Sequence, residues 1–230
     1  MDKKSLFLIT FLLCFFTISC AQNNGISYLA LGDSYTIGES VPEDERWPVI
    51  LSNELSESGI EVNDPLIIAK TGWTTDELQN AIKEQNPAND YDLVSLLIGV
   101  NNQYRGYPID QYKKEFKQLL LQAVAFADGD STKVFVVSIP NYGVTPFGIE
   151  KGEEKIRQEL LVYDAIADSI SSEMNIPFVN ITPVSEKAKE DSTYIASDQL
   201  HPSGKQYKEW VDLILPEVKM VLKKTSQNSN

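Results

Sequence analysis

Apolar residues follow two alternating rhythms along the chain. Short runs rich in branched side chains, "ISYLAL" from Ile26, "PLIIAK" from Pro65, "DLVSLLIGV" from Asp92, "KVFVVSI" from Lys133 and "IPFVNI" from Ile176, are almost continuously hydrophobic. Such runs read as strands buried on both faces, the pattern of a parallel sheet covered by helices. Between them, apolar positions recur every three or four residues. Trp47, Ile50, Leu51 and Leu55 share one helical face, with Pro48 near the helix start, where its missing N–H does no harm. Tyr112, Phe116, Leu119, Leu120 and Ala123 form a second face. Ile156, Leu160, Tyr163, Ala167, Ile170 and Met174 form a third, over about five turns.

A last helix is predicted to start near Ser203 as N-cap and to run through Tyr207, Val211, Ile214, Leu215, Val218 and Leu222, kinked at Pro216. The polar end, residues 225–230, reads as a frayed, disordered tail. With no repeat or linker, residues 25–224 are expected to form one layered α/β domain. In that architecture the crossover helices force all strands to point one way, and chemistry belongs just after each strand.

Residues 1–21 stand apart from this pattern. Lys3 and Lys4 precede an apolar run from Leu6 to Ile18 that ends in small residues, the layout of an export signal and too short for a membrane span. Two processing routes fit. "TISC" resembles a lipoprotein box, which would lipidate Cys20 and anchor the protein to a membrane, while "SCA" fits cleavage after Ala21 and a free periplasmic protein. The only cysteines, Cys14 and Cys20, both lie in this segment, so the remaining body has no thiol for a disulfide, a zinc site or a nucleophile. A net charge of −13 without a basic stripe makes nucleic acid a poor partner.

The segments after the strands are rich in candidate chemistry. "GDS" with Ser34 follows the first, "KTGWTTDEL" with Gly72 the second, "GVNNQYRG" with Asn101 the third, and "DQLHP" with Asp198 and His201 precedes the last helix. His201 is the only histidine, hence the only imidazole that could take a proton from a serine near neutral pH. Asp198, three residues earlier, can fold back to hold the imidazole Nδ1–H and leave Nε2 free, or it can simply cap a turn.

Together "GDSYT", Gly72, "GVNN" and "DQLHP", in this order and spread over most of the chain, resemble the signature blocks of the SGNH hydrolases, the GDSL esterases and lipases. The resemblance implies a three-layer α/β/α fold with a flavodoxin-like five-stranded parallel sheet. It implies Ser34 as nucleophile, His201 as base and then acid, and Asp198 as the group orienting the histidine. The backbone N–H groups of Ser34 and Gly72 and the side-chain amide of Asn101 would form the oxyanion hole. Neither metal nor organic cofactor is implied.

Two positions depart from the family pattern: Asn102 stands where Asp is usual, and Tyr35 where the short name has Leu. Asn102 is expected to cap the following turn, and Asp33 to serve structure at the strand end. The aromatic, glycine-bearing loops "NQYRGYP" and "NYGVTPFG" are expected to wall the pocket, with Asn102, Tyr104 and Arg105 as candidate substrate contacts. Arg105 could grip a carboxylate or phosphate, or face solvent as a surface arginine. The substrate is expected to be a small-molecule, glycan or lipid ester. A short-chain carboxylic esterase leads, ahead of a glycan O-deacetylase or lysophospholipase and of an inactive binding lipoprotein.

Overall fold

The computed structural model describes residues 25–228; the predicted export signal with Cys14 and Cys20, and residues 229–230, lie outside them. All five expected strands form: β1 (Tyr28–Gly32), β2 (Leu66–Ala69), β3 (Leu93–Leu97), β4 (Val134–Val137) and β5 (Phe178–Val179). They make one sheet in the order β2-β1-β3-β4-β5 with every pair parallel, which is the flavodoxin-like order. The central strands β1 and β3 are buried throughout, as uniformly apolar runs require. β5 is shorter than its apolar run, because Asn180 Oδ1 accepts the Thr182 N–H at 3.0 Å and turns the chain out of the sheet.

The helices are α1 (Ser34–Ile37), α2 (Trp47–Glu57), α3 (Thr75–Gln85), α4 (Val100–Tyr104), α5 (Ile109–Phe126), α6 (Pro146–Glu173), α7 (Thr182–Ser185) and α8 (Gly204–Asn228). α5 packs between α3 and α6, and α2 packs against α8, giving the three-layer α/β/α arrangement. Among the described residues no helix is long and apolar enough to cross a membrane.

Three expectations change. α6 starts at Pro146, capped by Thr145 Oγ1 accepting from Gly148 N–H at 3.1 Å, and is interrupted at Gly152, whose φ is 105°. The "NYGVTPFG" segment is therefore a 3-10 turn followed by a helix start rather than an open loop. Likewise, the segment after Gly99 is helical through Tyr104. α8 continues to Asn228, so residues 225–228 are helix and not tail; no glycine or proline follows Pro216 to stop it.

Ser203 caps α8 as expected, accepting from Gln206 N–H at 3.3 Å. The helix then buries Tyr207, Trp210, Val211, Ile214 and Val218 completely, each contributing roughly 1.5–3 kcal/mol if counted as transfer from water. The Trp210 ring meets Tyr207 edge-on at 4.9 Å and lies 6.4 Å from Tyr35, the residue after Ser34. Core packing thus reaches the turn that carries the candidate nucleophile. Trp210→Ala is expected to lower unfolding free energy by about 3–5 kcal/mol, measured by urea denaturation; a wild-type midpoint would contradict this placement in the core.

Candidate active site

The chain leaves β1 through Gly32, where a Cβ would collide with the Thr36 side chain and the Leu97 carbonyl. Only glycine lets the first turn of α1 sit this close to β3. Asp33 is buried and caps α1, accepting the Tyr35 N–H at 3.0 Å, the structural role expected of it. Burial pushes its carboxyl up to about 7 against the lowering effect of that hydrogen bond. Ser34 opens α1, so its N–H has no acceptor within the helix by geometry.

After β2, the Trp73 N–H donates to the Lys70 carbonyl at 3.2 Å and closes a turn with Gly72 at its third position, φ 89°. That geometry matches a type II turn, which demands glycine there and orients the Thr71–Gly72 peptide opposite to a type I turn. Neighbouring elements grip this turn from three sides. Thr71 Oγ1 donates to Glu39, Asn101 Nδ2 donates to the Trp73 carbonyl at 2.9 Å, and Arg105 Nη2 donates to the Gly72 carbonyl at 2.6 Å.

Because α4 is a helix, its side chains separate by face. Asn101 and Tyr104, three apart, both line the pocket beside Ser34. Asn102 and Arg105 share the neighbouring face, and neither lines the pocket that holds Ser34, although both were expected there as substrate contacts. Asn102 is fully buried against α3: its Oδ1 accepts the Thr75 N–H at 3.1 Å and its Nδ2 donates to Thr75 Oγ1 at 2.7 Å. Thr75 Oγ1 in turn donates to Glu115 Oε2. Since a hydroxyl has one hydrogen, and Glu115 takes it, residue 102 must donate; an amide can and a carboxylate cannot. This accounts for Asn where the family usually has Asp. Arg105, besides holding Gly72, pairs with Glu77 at 3.2 Å, and Glu77 itself closes the capping box of α3 with Thr74. Its guanidinium is neither a free anion grip nor an unengaged surface charge.

The loop before α8 is closed by a bridge between Ile195 and Pro202 and by the Ala196 N–H donating to the His201 carbonyl at 2.8 Å. Within it, Asp198 Oδ1 accepts the N–H groups of Leu200 and His201, each at 2.9 Å. Its Oδ2 lies 2.6 Å from His201 Nδ1 and accepts Ser40 Oγ–H at 2.7 Å, a donor nothing in the motif pattern had flagged. Burial would raise the Asp198 carboxyl, but the hydrogen bonds from Ser40, His201 and Leu200 hold it down at about 2. A carboxylate only accepts, so Nδ1 carries the proton and Nε2 stays an acceptor. His201 is buried, and its ring packs edge-on against Tyr35 at 5.6 Å.

Ser34, Gly72, Asn101, Tyr104 and His201 line one pocket of about 150 Å³, with Asp198 behind the imidazole. Its far wall is aromatic: Tyr104 lies 5.9 Å from Phe147 and 6.5 Å from Tyr142, ring to ring. Tyr142 and Phe147 fall in the "NYGVTPFG" segment, so that part of the expected wall is present.

Comparison with known proteins gives matches in sequence and in fold. The sequence model of the GDSL-like lipase/acylhydrolase family matches residues 30–209. An arylesterase from Vibrio mimicus is 29% identical over 138 residues, covering 57% of this chain and 65% of that relative. Among solved structures, the acetylxylan esterase Axe2 from Geobacillus stearothermophilus superposes with a TM-score of 0.66 at 19% identity, covering 84% of this chain and 94% of that one. TesA gives 0.64 at 16% identity over 85% and 99%. At these identities the structural likeness speaks for the fold alone.

Two outcomes follow from these contacts. Asn102→Asp should lower stability by about 1–3 kcal/mol, the scale of a buried pair left without its hydrogen; an unchanged urea midpoint would contradict the donor assignment. The Asp198 carboxyl is depressed to about 2 in the folded protein, against roughly 3.9 when unfolded. Its stabilising contribution is complete above the unfolded value and disappears as pH falls through the folded one. Stability should therefore fall less steeply between about pH 4 and pH 2 in Asp198→Asn than in the wild type; equal slopes would contradict it.

Proposed function

The chain belongs to the GDSL-like lipase/acylhydrolase family, and from that membership and the pocket geometry we propose that it is a serine esterase hydrolysing short-chain carboxylic esters. The observation that carries the proposal is the pairing of the single imidazole with Asp198 through Nδ1, in the same pocket as Ser34, Gly72 and Asn101.

In the proposed reaction Ser34 Oγ adds to the ester carbonyl while His201 Nε2 takes its proton. The carbonyl oxygen becomes an oxyanion, met by the N–H groups of Ser34 and Gly72 and by an amide hydrogen of Asn101. Asn101 Nδ2 carries two hydrogens; the one given to the Trp73 carbonyl fixes the amide plane and leaves the other for the substrate. Donors fixed in advance are worth most where charge develops. The tetrahedral intermediate collapses, the imidazolium protonates the departing alcohol, and an ester to Ser34 remains. Water, deprotonated by His201, then releases the acid and restores the serine. Asp198 remains ionised throughout, stabilising the imidazolium without taking its proton.

A pocket of about 150 Å³ walled by Tyr104, Tyr142 and Phe147 supports a compact, apolar acyl or alcohol group over an extended chain, and so favours small esters or acetyl groups over lysolipids. The intact Ser34, Asp198 and His201 support a working enzyme over a binding protein.

With p-nitrophenyl acetate as substrate, Ser34→Ala should abolish turnover, and Asn101→Ala should lower kcat about 10²–10³-fold. In a series of p-nitrophenyl esters of increasing acyl length, kcat/KM should fall as the chain outgrows the pocket. Substantial turnover by Ser34→Ala would sink the proposal; a preference for long chains would remove the substrate class and leave the mechanism.

A further inference from the structure

Ser40 lies outside every motif that marks the family, yet its side chain ends on the same oxygen as the imidazole. It reaches Asp198 Oδ2 at 2.7 Å, while His201 Nδ1 sits 2.6 Å from that atom. With the two backbone N–H groups on Oδ1, each oxygen of Asp198 has two partners, the full set a carboxylate can accommodate. Without Ser40, the only side-chain partner of this carboxylate among these four contacts would be the ring it has to orient.

The backbone at Ser40 is itself unusual. Its φ is 67°, in the left-handed region that glycine enters freely and other residues enter with strain. Gly38, just before, has φ 71° and meets the same need without a side chain. A glycine at 40 would relieve the backbone and lose the hydroxyl. Strain of this kind persists where surrounding structure over-determines it, commonly next to a functional group.

We propose that Ser40 is a positioning residue that clamps Asp198 from the loop following the nucleophile, so that Ser34 and the imidazole are held in register through one carboxylate. Ser40 is an exposed residue, and water could replace its hydrogen bond, but water is not tethered to the segment carrying Ser34. This inference rests on the triad reading given above.

The test uses the full protein with p-nitrophenyl acetate and compares Ser40→Ala, Ser40→Gly and Asp198→Asn. Both Ser40 variants should lose roughly tenfold in kcat with KM hardly moved, the scale of one hydrogen bond to a charged group. Ser40→Gly should nevertheless unfold at or above the wild-type temperature, separating the clamp from backbone strain. Wild-type kcat in Ser40→Gly, whether or not Ser40→Ala is impaired, would overturn the clamp while Asp198→Asn remains slow. Wild-type activity in Asp198→Asn would instead overturn the triad on which the clamp rests.

Discussion

A carboxylate can only accept hydrogen bonds, and the organisation of the site depends on that constraint. Asp198 Oδ2 sits 2.6 Å from His201 Nδ1, which places the proton on Nδ1 and leaves Nε2 with a lone pair. Were the carboxyl protonated, or turned away, the imidazole could hold either tautomer and the pocket would contain a serine with no assigned base. The two backbone N–H groups on Oδ1 and the Ser40 hydroxyl keep the group ionised despite its partial burial.

The other candidate groups come from separate loops, and side chains tie those loops together. Glu39 holds Thr71, Asn101 holds the Trp73 carbonyl, Arg105 holds the Gly72 carbonyl, and Ser40 holds Asp198. None of these contacts links sequence neighbours. They act across the carboxyl edge of a parallel sheet, where each strand delivers its loop but does not by itself fix where the loop lies. Below them, Tyr35 joins the nucleophile turn to Trp210 and the core.

Much of this was legible in the sequence, for physical reasons. Continuous branched runs identify strands buried on both faces, and parallel strands send their following segments to one edge, so the segments carrying Ser34, Gly72, Asn101 and His201 could be brought to one edge from pattern, while the roles of Gly72 and Asn101 came from the family resemblance. The departures share a cause. "NQYRGYP" reads as a loop by composition, but Val100–Tyr104 is helical, and helical spacing pairs Asn101 with Tyr104 and Asn102 with Arg105. Only the first pair lines the pocket. The partners of the second pair, Thr75, Glu77 and Gly72, are distant in sequence and lie in no spacing rule. Ser40 was hidden for the same reason: its partner is 158 positions away.

Because the protein has one histidine, its protonation can be read without assignment ambiguity. Uniformly ¹⁵N-labelled protein with the imidazole in its neutral form, examined through the couplings from the ring carbon-bound protons to both nitrogens, reports the tautomer directly. The account predicts a protonated Nδ1 with a strongly deshielded N–H, and an unprotonated Nε2. A proton resident on Nε2 in the neutral ring would contradict it, because the imidazole could then take nothing from Ser34.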